Sequence, residues 1–363
     1  MADIQHYCDF TNALPEKWRS FIEQHAATFD QTLPWFVEFE RHLLAPDQRL
    51  HILTASEPDG SPLAVLALRT DRVALAGPLT ATAVCSLSNY YTALFAPVAV
   101  PGREREIAKA LVRGILELPA DKSIIDLNPV ASDAALITEM CGELARRGYD
   151  VERYFRFGNW YLEVGGRGSR EYFATLPGQV KSTIERKGKK LRARPDTRIR
   201  VITDVAHVPA GMDAYEAVYQ SSWKRDEPHK DFIRAVCTEF ARRGWLRLGL
   251  IEIGDRPAAA QSGFCYRGTA AFVQLAYDAE FTNLSVGTAL TTALMQHALD
   301  IDKVAIVDYL CGDDPYKRDW MSARRERVGV RASRRWTLAS LISYAAHLKR
   351  RIRKPAPTGL PMG

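Results

Sequence analysis

The residues best suited to chemistry lie close together in FVQLAYDAEFTNLSVGTALTTALMQHALDIDKVAIVDYLCGDDPYKRDW, residues 272–320. An apolar run ends at Tyr277-Asp278, and Ser285 then stands as the N-cap of a helix with Gly287 in its first turn. A helix opening just after a strand turns unpaired amides and its positive dipole end outward, so that backbone alone can hold a pyrophosphate. Gly287 lets the anion come close to that backbone. Acid–base groups flank this anion site. Asp308 ends the apolar strand KVAIVDYL, Asp278 ends the strand before the helix, and Tyr316 follows in YKRDW. A carboxylate here can take a proton from an amine or hydroxyl, and a phenol can return one to a leaving group. Lys317 is placed to pair with Asp308 or with a phosphate. Cys311 has no histidine near it in sequence and reads as a small buried cysteine, while His297, on the helix's apolar repeat, reads as a core histidine.

Strands and helices must carry these groups. In the second half, YFRFGNWYLEV precedes a helix from Ser169 and a basic helix, QVKSTIERKGKKLRAR; a strand at RIRVIT and helices over MDAYEAVYQSSW and KDFIRAVCTEFARRG follow. WLRLGLIEIG, PAAAQSGFCYRG and TAAFVQLAYD then form an antiparallel meander leading into the anion-site helix VGTALTTALMQHALD. The first half follows a similar plan. Helices over PEKWRSFIEQHAATF and PWFVEFERHLL lead to a hairpin, RLHILTASE and PLAVLALRT, turning at Pro58-Asp59-Gly60. Strands are expected at RVALAG, YYTALFAP and SIIDLNPV, with helices over REREIAKALVRGILEL and ASDAALITEMCGELARRG, the last ending on Gly148. No residue-level repeat accompanies the shared element order.

Six scattered cysteines without a C-x-x-C pair or a Cys/His cluster argue against a metal site and against a disulfide scaffold. With no apolar leader in the first twenty residues, the expectation is a reduced, cytoplasmic protein. The net charge of +6 is unevenly placed: residues 181–200 carry +7 and residues 317–354 carry +11, leaving the rest at −12. Two basic segments on an acidic protein point to an anionic ligand or surface. For the 181–200 helix, the readings are a solvated face, or contact with an acidic acceptor, the 3′-phosphate of CoA, tRNA or an anionic lipid surface. The basic amphipathic segment WTLASLISYAAHLKRRIRK docks on the second lobe or makes peripheral contact with a membrane.

Read together, the strand hairpin, the Y-D strand end, the S-x-G helix start and D-Y-L-x-G-x-x-x-Y-K-x-x-W resemble the C-terminal domain of CelD/BcsL-type GNAT acyltransferases, relatives of the Fem-type aminoacyltransferases. Q-V-K-S-T-I-E-R-K-G-K-K-L and S-S-W-K extend the resemblance over about residues 150–335, and QTLPWF and SNYYTALFAP resemble the family's first lobe. The resemblance implies an α/β (α+β) fold of two tandem GNAT-like lobes, with mixed, mostly antiparallel sheets flanked by helices, over residues 1–155 and 156–335, followed by a basic tail at 336–363. It implies acetyl-CoA or another acyl-CoA as donor, held by Leu275, Ala276, Tyr277, Leu284, Ser285, Val286, Gly287, Thr288 and Ala289. The loop keeps a single glycine, Gly287, where the family pattern has two, and Val286 stands where proline is frequent.

In this frame Asp308 or Asp278 is the base, and Tyr316 protonates the departing thiolate. Trp223, Lys224, Gln261, Asn89, Tyr90 and Tyr91 are the candidate acceptor-binding residues, the acceptor being a small molecule or sugar precursor. Residues 86–91 of the first half offer no glycine opening a helix, so one donor site per chain is expected. Two other readings remain: transfer from an aminoacyl-tRNA, and a nucleic-acid-binding protein with vestigial lobes.

Overall fold

The computed structural model describes residues 2–76, 79–222 and 227–335; Trp223, Lys224 and the 336–363 tail lie outside these. The first half runs β1 (Asp3–Tyr7), α1 (Glu16–His25), α2 (Leu33–Leu43), β2 (Arg49–Ser56), β3 (Pro62–Ala76), β4 (Leu79–Ser86), β5 (Val98–Ala99), α3 (Glu104–Glu117), β6 (Ile124–Ala131), α4 (Ala135–Arg146) and β7 (Tyr149–Glu163). The second runs α5 (Ser169–Thr175), α6 (Gly178–Arg192), β8 (Thr197–Ile202), α7 (Val208–Ser221), α8 (Lys230–Arg242), β9 (Leu248–Ile253), β10 (Arg256–Tyr266), β11 (Thr269–Tyr277), α9 (Val286–Gln296), β12 (Ile306–Asp308), α10 (Pro315–Trp320) and β13 (Ala323–Arg334).

All strands join one sheet in the order β1-β2-β3-β4-β6-β13-β7-β12-β11-β10-β9-β8, with β5 attached to β3. The class is the expected mixed α/β, mostly antiparallel and flanked by helices. Among the described residues only β4 with β6 and β11 with β12 pair in parallel. These are corresponding places in the two halves, each where a helix crosses from one strand to the next. Both parallel contacts are brief, two residue pairs in the first half and three in the second, so the strands splay beyond them.

β13 departs most from the sequence reading, which saw in 317–354 only a basic run. Its arginines alternate with Val328, Val330 and Ala332, and these three are buried. The strand leaves the second half and inserts between β6 and β7, pairing Val330 with Leu127 on one side and with Arg153 on the other. Residue 155, the expected lobe boundary, falls within the unbroken β7. YYTALFAP is also not a strand. Asn89 Oδ1 accepts from the Tyr91 and Thr92 amides, and the buried Asp30 accepts from those of Ala93 and Leu94, so side chains satisfy the backbone a sheet would have paired. RVALAG continues β3 instead of forming its own strand.

Helices cover the sheet with their apolar sides. On α8, Phe232, Ile233, Val236, Cys237 and Phe240 recur at helical spacing and are fully buried. Phe240 meets Phe29 and Phe264 edge-on, and Phe232 meets Trp35, so aromatics from both halves share one core. No helix among the described residues is long and apolar enough to cross a membrane.

A proline at position 330 removes an N–H from the β13 ladder and inserts a ring between two strands. Val330→Pro is expected to destabilise the protein by about 3 kcal/mol or more. Hydrogen exchange should show lost protection in β6 and β7 together; loss confined to the second half would refute the role given to β13.

Candidate active site

Beyond Ala271, β11 runs on to Tyr277 while β12 ends at Asp308, leaving a notch of about 290 Å3. One wall is β11 and Gln261 of β10, the other the 309–317 segment, and Tyr90 and Tyr91 of the first half close it. Along the second wall, Leu310 and Gly312 both adopt positive φ, +51° and +103°. A leucine there is strained, so something must hold the turn.

Three side chains hold it. Asp308 Oδ1 accepts from the Leu310 amide (2.7 Å) and from Asn159 Nδ2 (2.6 Å), and Asn159 Nδ2 also donates to the Leu310 carbonyl. Asp308 Oδ2 accepts from Arg325 at 2.6 Å. Lys317, 5% exposed, donates to the carbonyls of Tyr309 and Cys311 and lies 3.3 Å from Asp314. Asp308, expected as a base, thus has both oxygens engaged, and it lines a neighbouring cavity instead of the notch. Lys317 pairs with Asp314, not with Asp308. Asp278 is likewise occupied, capping a 3-10 turn through the Glu280 amide and pairing with Arg256 at 2.9 Å.

The candidate donor residues lie at the end of β11 and the start of α9. Ser285 is the N-cap of α9, but with φ +54° and ψ +43° its side chain makes no capping bond, and the helix's first turn carries no acid. No side chain therefore caps the leading amides, and Lys187 of α6 reaches this loop to donate to the Asn283 carbonyl at 3.0 Å. Leu275 lines the notch; Ala276, Val286 and Ala289 are buried and offer only backbone; Leu284, Ser285 and Thr288 are partly exposed. A Cβ on Gly287 would stand 3.1 Å from the ring of Tyr277 and 3.4 Å from Leu275, so this glycine also lets α9 seat against β11. In the first half, α3 carries Glu104 and Glu106 in its first turn, with Arg103 paired to Glu57 and Glu106, which makes that helix start unfit for a phosphate.

Tyr316 lines the notch, and burial, then Asp314, pushes its phenol up, so it stays protonated. The Cys311 thiol is pushed up to about 12 by burial and is inert. Gln261, Tyr90 and Tyr91 line the notch, whereas Asn89 is occupied in its turn. The sequence reading missed two residues. Tyr309, with a buried hydroxyl unpartnered among the described residues, lines the notch. Glu227 accepts a hydrogen bond from the Tyr91 hydroxyl and lies 3.4 Å from that of Tyr215. Burial pushes Glu227 up to about 7, against the lowering effect of the His229 amide. Glu227 had no sequence signal, because its partner is 136 positions away. Among the described residues no group of three or more His, Cys, Asp or Glu is arranged to hold a metal ion.

Asp308→Asn keeps shape but removes the charge facing Arg325. A loss of about 2 kcal/mol is expected, with donor affinity and turnover falling together as the turn loosens. A large fall in kcat with unchanged thermal stability and donor affinity would instead restore Asp308 as a base.

Residues 178–318 match the family model described as an acetyltransferase (GNAT) domain. No curated protein sequence matches the chain. Among solved structures, FemX superposes with a TM-score of 0.61 at 11% identity, covering 94% of this chain and 99% of its own. L-PGS from Bacillus licheniformis gives 0.56 at 9% identity, covering 92% and 96%. At such identities the likeness is one of fold. The chain thus matches the acetyltransferase (GNAT) domain family over residues 178–318, within a two-lobed fold that it shares with FemX along nearly its whole length.

Proposed function

We propose that the protein transfers an acyl group from an acyl-CoA to an amine or hydroxyl of a small-molecule or sugar-type acceptor, in the manner of the CelD/BcsL-type enzymes. The observation that carries this reading is the uncapped, acid-free start of α9 beside an open notch. Pyrophosphate rests on the 286–288 amides with Lys187 close by, and the pantetheine arm pairs with the free edge of β11. The acceptor's nitrogen or oxygen attacks the thioester carbonyl. Its proton passes to the Tyr91 oxygen as the Tyr91 proton passes to Glu227, and the sulfur leaves with the proton of Tyr316.

A second reading, with an aminoacyl-tRNA as donor, draws on α6, which exposes Arg186, Lys187, Lys189 and Lys190 beside the α9 loop, and on the FemX fold. Binding of tRNA falls steeply with salt and is competed weakly by CoA.

Gly287→Glu is expected to weaken CoA binding about a hundredfold in calorimetry, because the side chain starts against Tyr277 and Leu275, shifts the start of α9 and adds a negative charge beside it, with Gly287→Ala losing only a few-fold. Equal CoA affinity in the Glu variant would remove the site. Glu227 works as a proton acceptor only when ionised. Since its pKa is raised to about 7, kcat/KM should climb as pH rises from about 6 to 8 and then level off. Glu227→Gln should erase that limb and lower kcat about a hundredfold; a variant with an unchanged pH profile would place the base elsewhere.

A further inference from the structure

A second cavity, of about 480 Å3, lies between the halves on the side of β11 that faces the shared core. Its volume is that of a small-molecule site. It abuts the notch: Leu310 lines both, and the neighbours Ala271 and Phe272 line one each. At its wall sits Arg327 of β13, 5% exposed. The β13–β7 register shifts at Arg327, a bulge that re-aims the side chain there.

The surroundings of Arg327 leave it incompletely satisfied. Its Nη2 donates to Asn159 Oδ1 at 3.1 Å, and its buried Nε has no partner among the described residues. Both nearby buried carboxylates are already engaged. Asp30 accepts from Thr28 and from the amides of Ala93 and Leu94, and Asp308 is held by Arg325, Asn159 and the Leu310 amide. Burial, then the neighbouring Arg325, act against the Arg327 charge and outweigh the support of Asp308, Asp30 and Asp133, so a carboxylate placed directly against the guanidinium is favoured. The exposed carboxylates at the cavity's edge, Asp133 and Glu326, oppose polyanions and suit a ligand that also carries positive charge.

We propose that this cavity is the acceptor site and that it takes a small amino-carboxylate, an amino acid or short peptide, whose carboxylate pairs with the Arg327 guanidinium while the other end reaches past Leu310 to the notch. The role as acceptor rests on the acyl-transfer reading; the carboxylate site does not. Calorimetry on the full chain without any donor, using free amino acids and glycyl dipeptides, each against its C-terminal amide, with inorganic phosphate as control, tests the site. Saturable binding of at least one acid is expected, at least tenfold tighter than its amide and tighter than phosphate. Arg327→Gln should weaken that binding at least tenfold while acetyl-CoA titrates as in the parent. The proposal falls if no acid in the panel binds, if amides or phosphate bind as well as acids, or if a folded Arg327→Gln protein keeps the parent affinity. Should that variant fail to fold, the acid-against-amide comparison on the parent protein decides alone. A separate acetyl-CoA titration of the parent tests the donor site, so the two readings fail independently.

Discussion

The rest of the structure depends on one strand pairing. β13 lies between β6 and β7 and hydrogen-bonds to both over most of its length, which turns two half-sheets into one. Arg325 and Arg327 therefore stand opposite Asn159 and Phe157 of β7, and through Asn159 they meet Asp308 at the end of β12. This network also pins the turn carrying Leu310 in its strained conformation. The notch is open because that turn is held away from β11. Through Arg325, β13 adds a charged partner of Asp308 Oδ2 to that turn's support.

The two halves differ in what stands at their corresponding helix starts, α3 and α9. Both place a parallel strand pair that parts after a few residues, with a helix crossing between. At α9 the first turn is free of acids and capping side chains; at α3 two glutamates and an arginine already fill the corresponding space. Helix dipoles are equal in both, so the local side chains decide which helix start remains available.

Much of this was legible in the sequence where the signal was local. The spacing of apolar residues located α8 and α9, and the run from Tyr277 to Gly287 marked the helix start beside the notch. What was not legible depends on partners distant in sequence. The alternating arginines of β13 looked like a charge run because their pairing strands lie far upstream. YYTALFAP has strand-forming residues, yet Asp30 and Asn89 take its amides. Asp308 looked like a free carboxylate because Asn159 and Arg325 cannot be seen from KVAIVDYL. Glu227 gained its burial from Tyr91 and Tyr215, which no local pattern announces.

The placement of β13 also bears on how the chain is made. When β6 leaves the ribosome, the strand that must lie beside it is still roughly 190 residues from being synthesised. At ordinary elongation rates that interval is on the order of ten to forty seconds. Throughout it, the apolar residues Ile124, Ile125, Leu127 and Val130 sit on a strand whose one edge has no partner. A newborn copy thus presents an open slot that its own late strand must fill before another polypeptide's strand does.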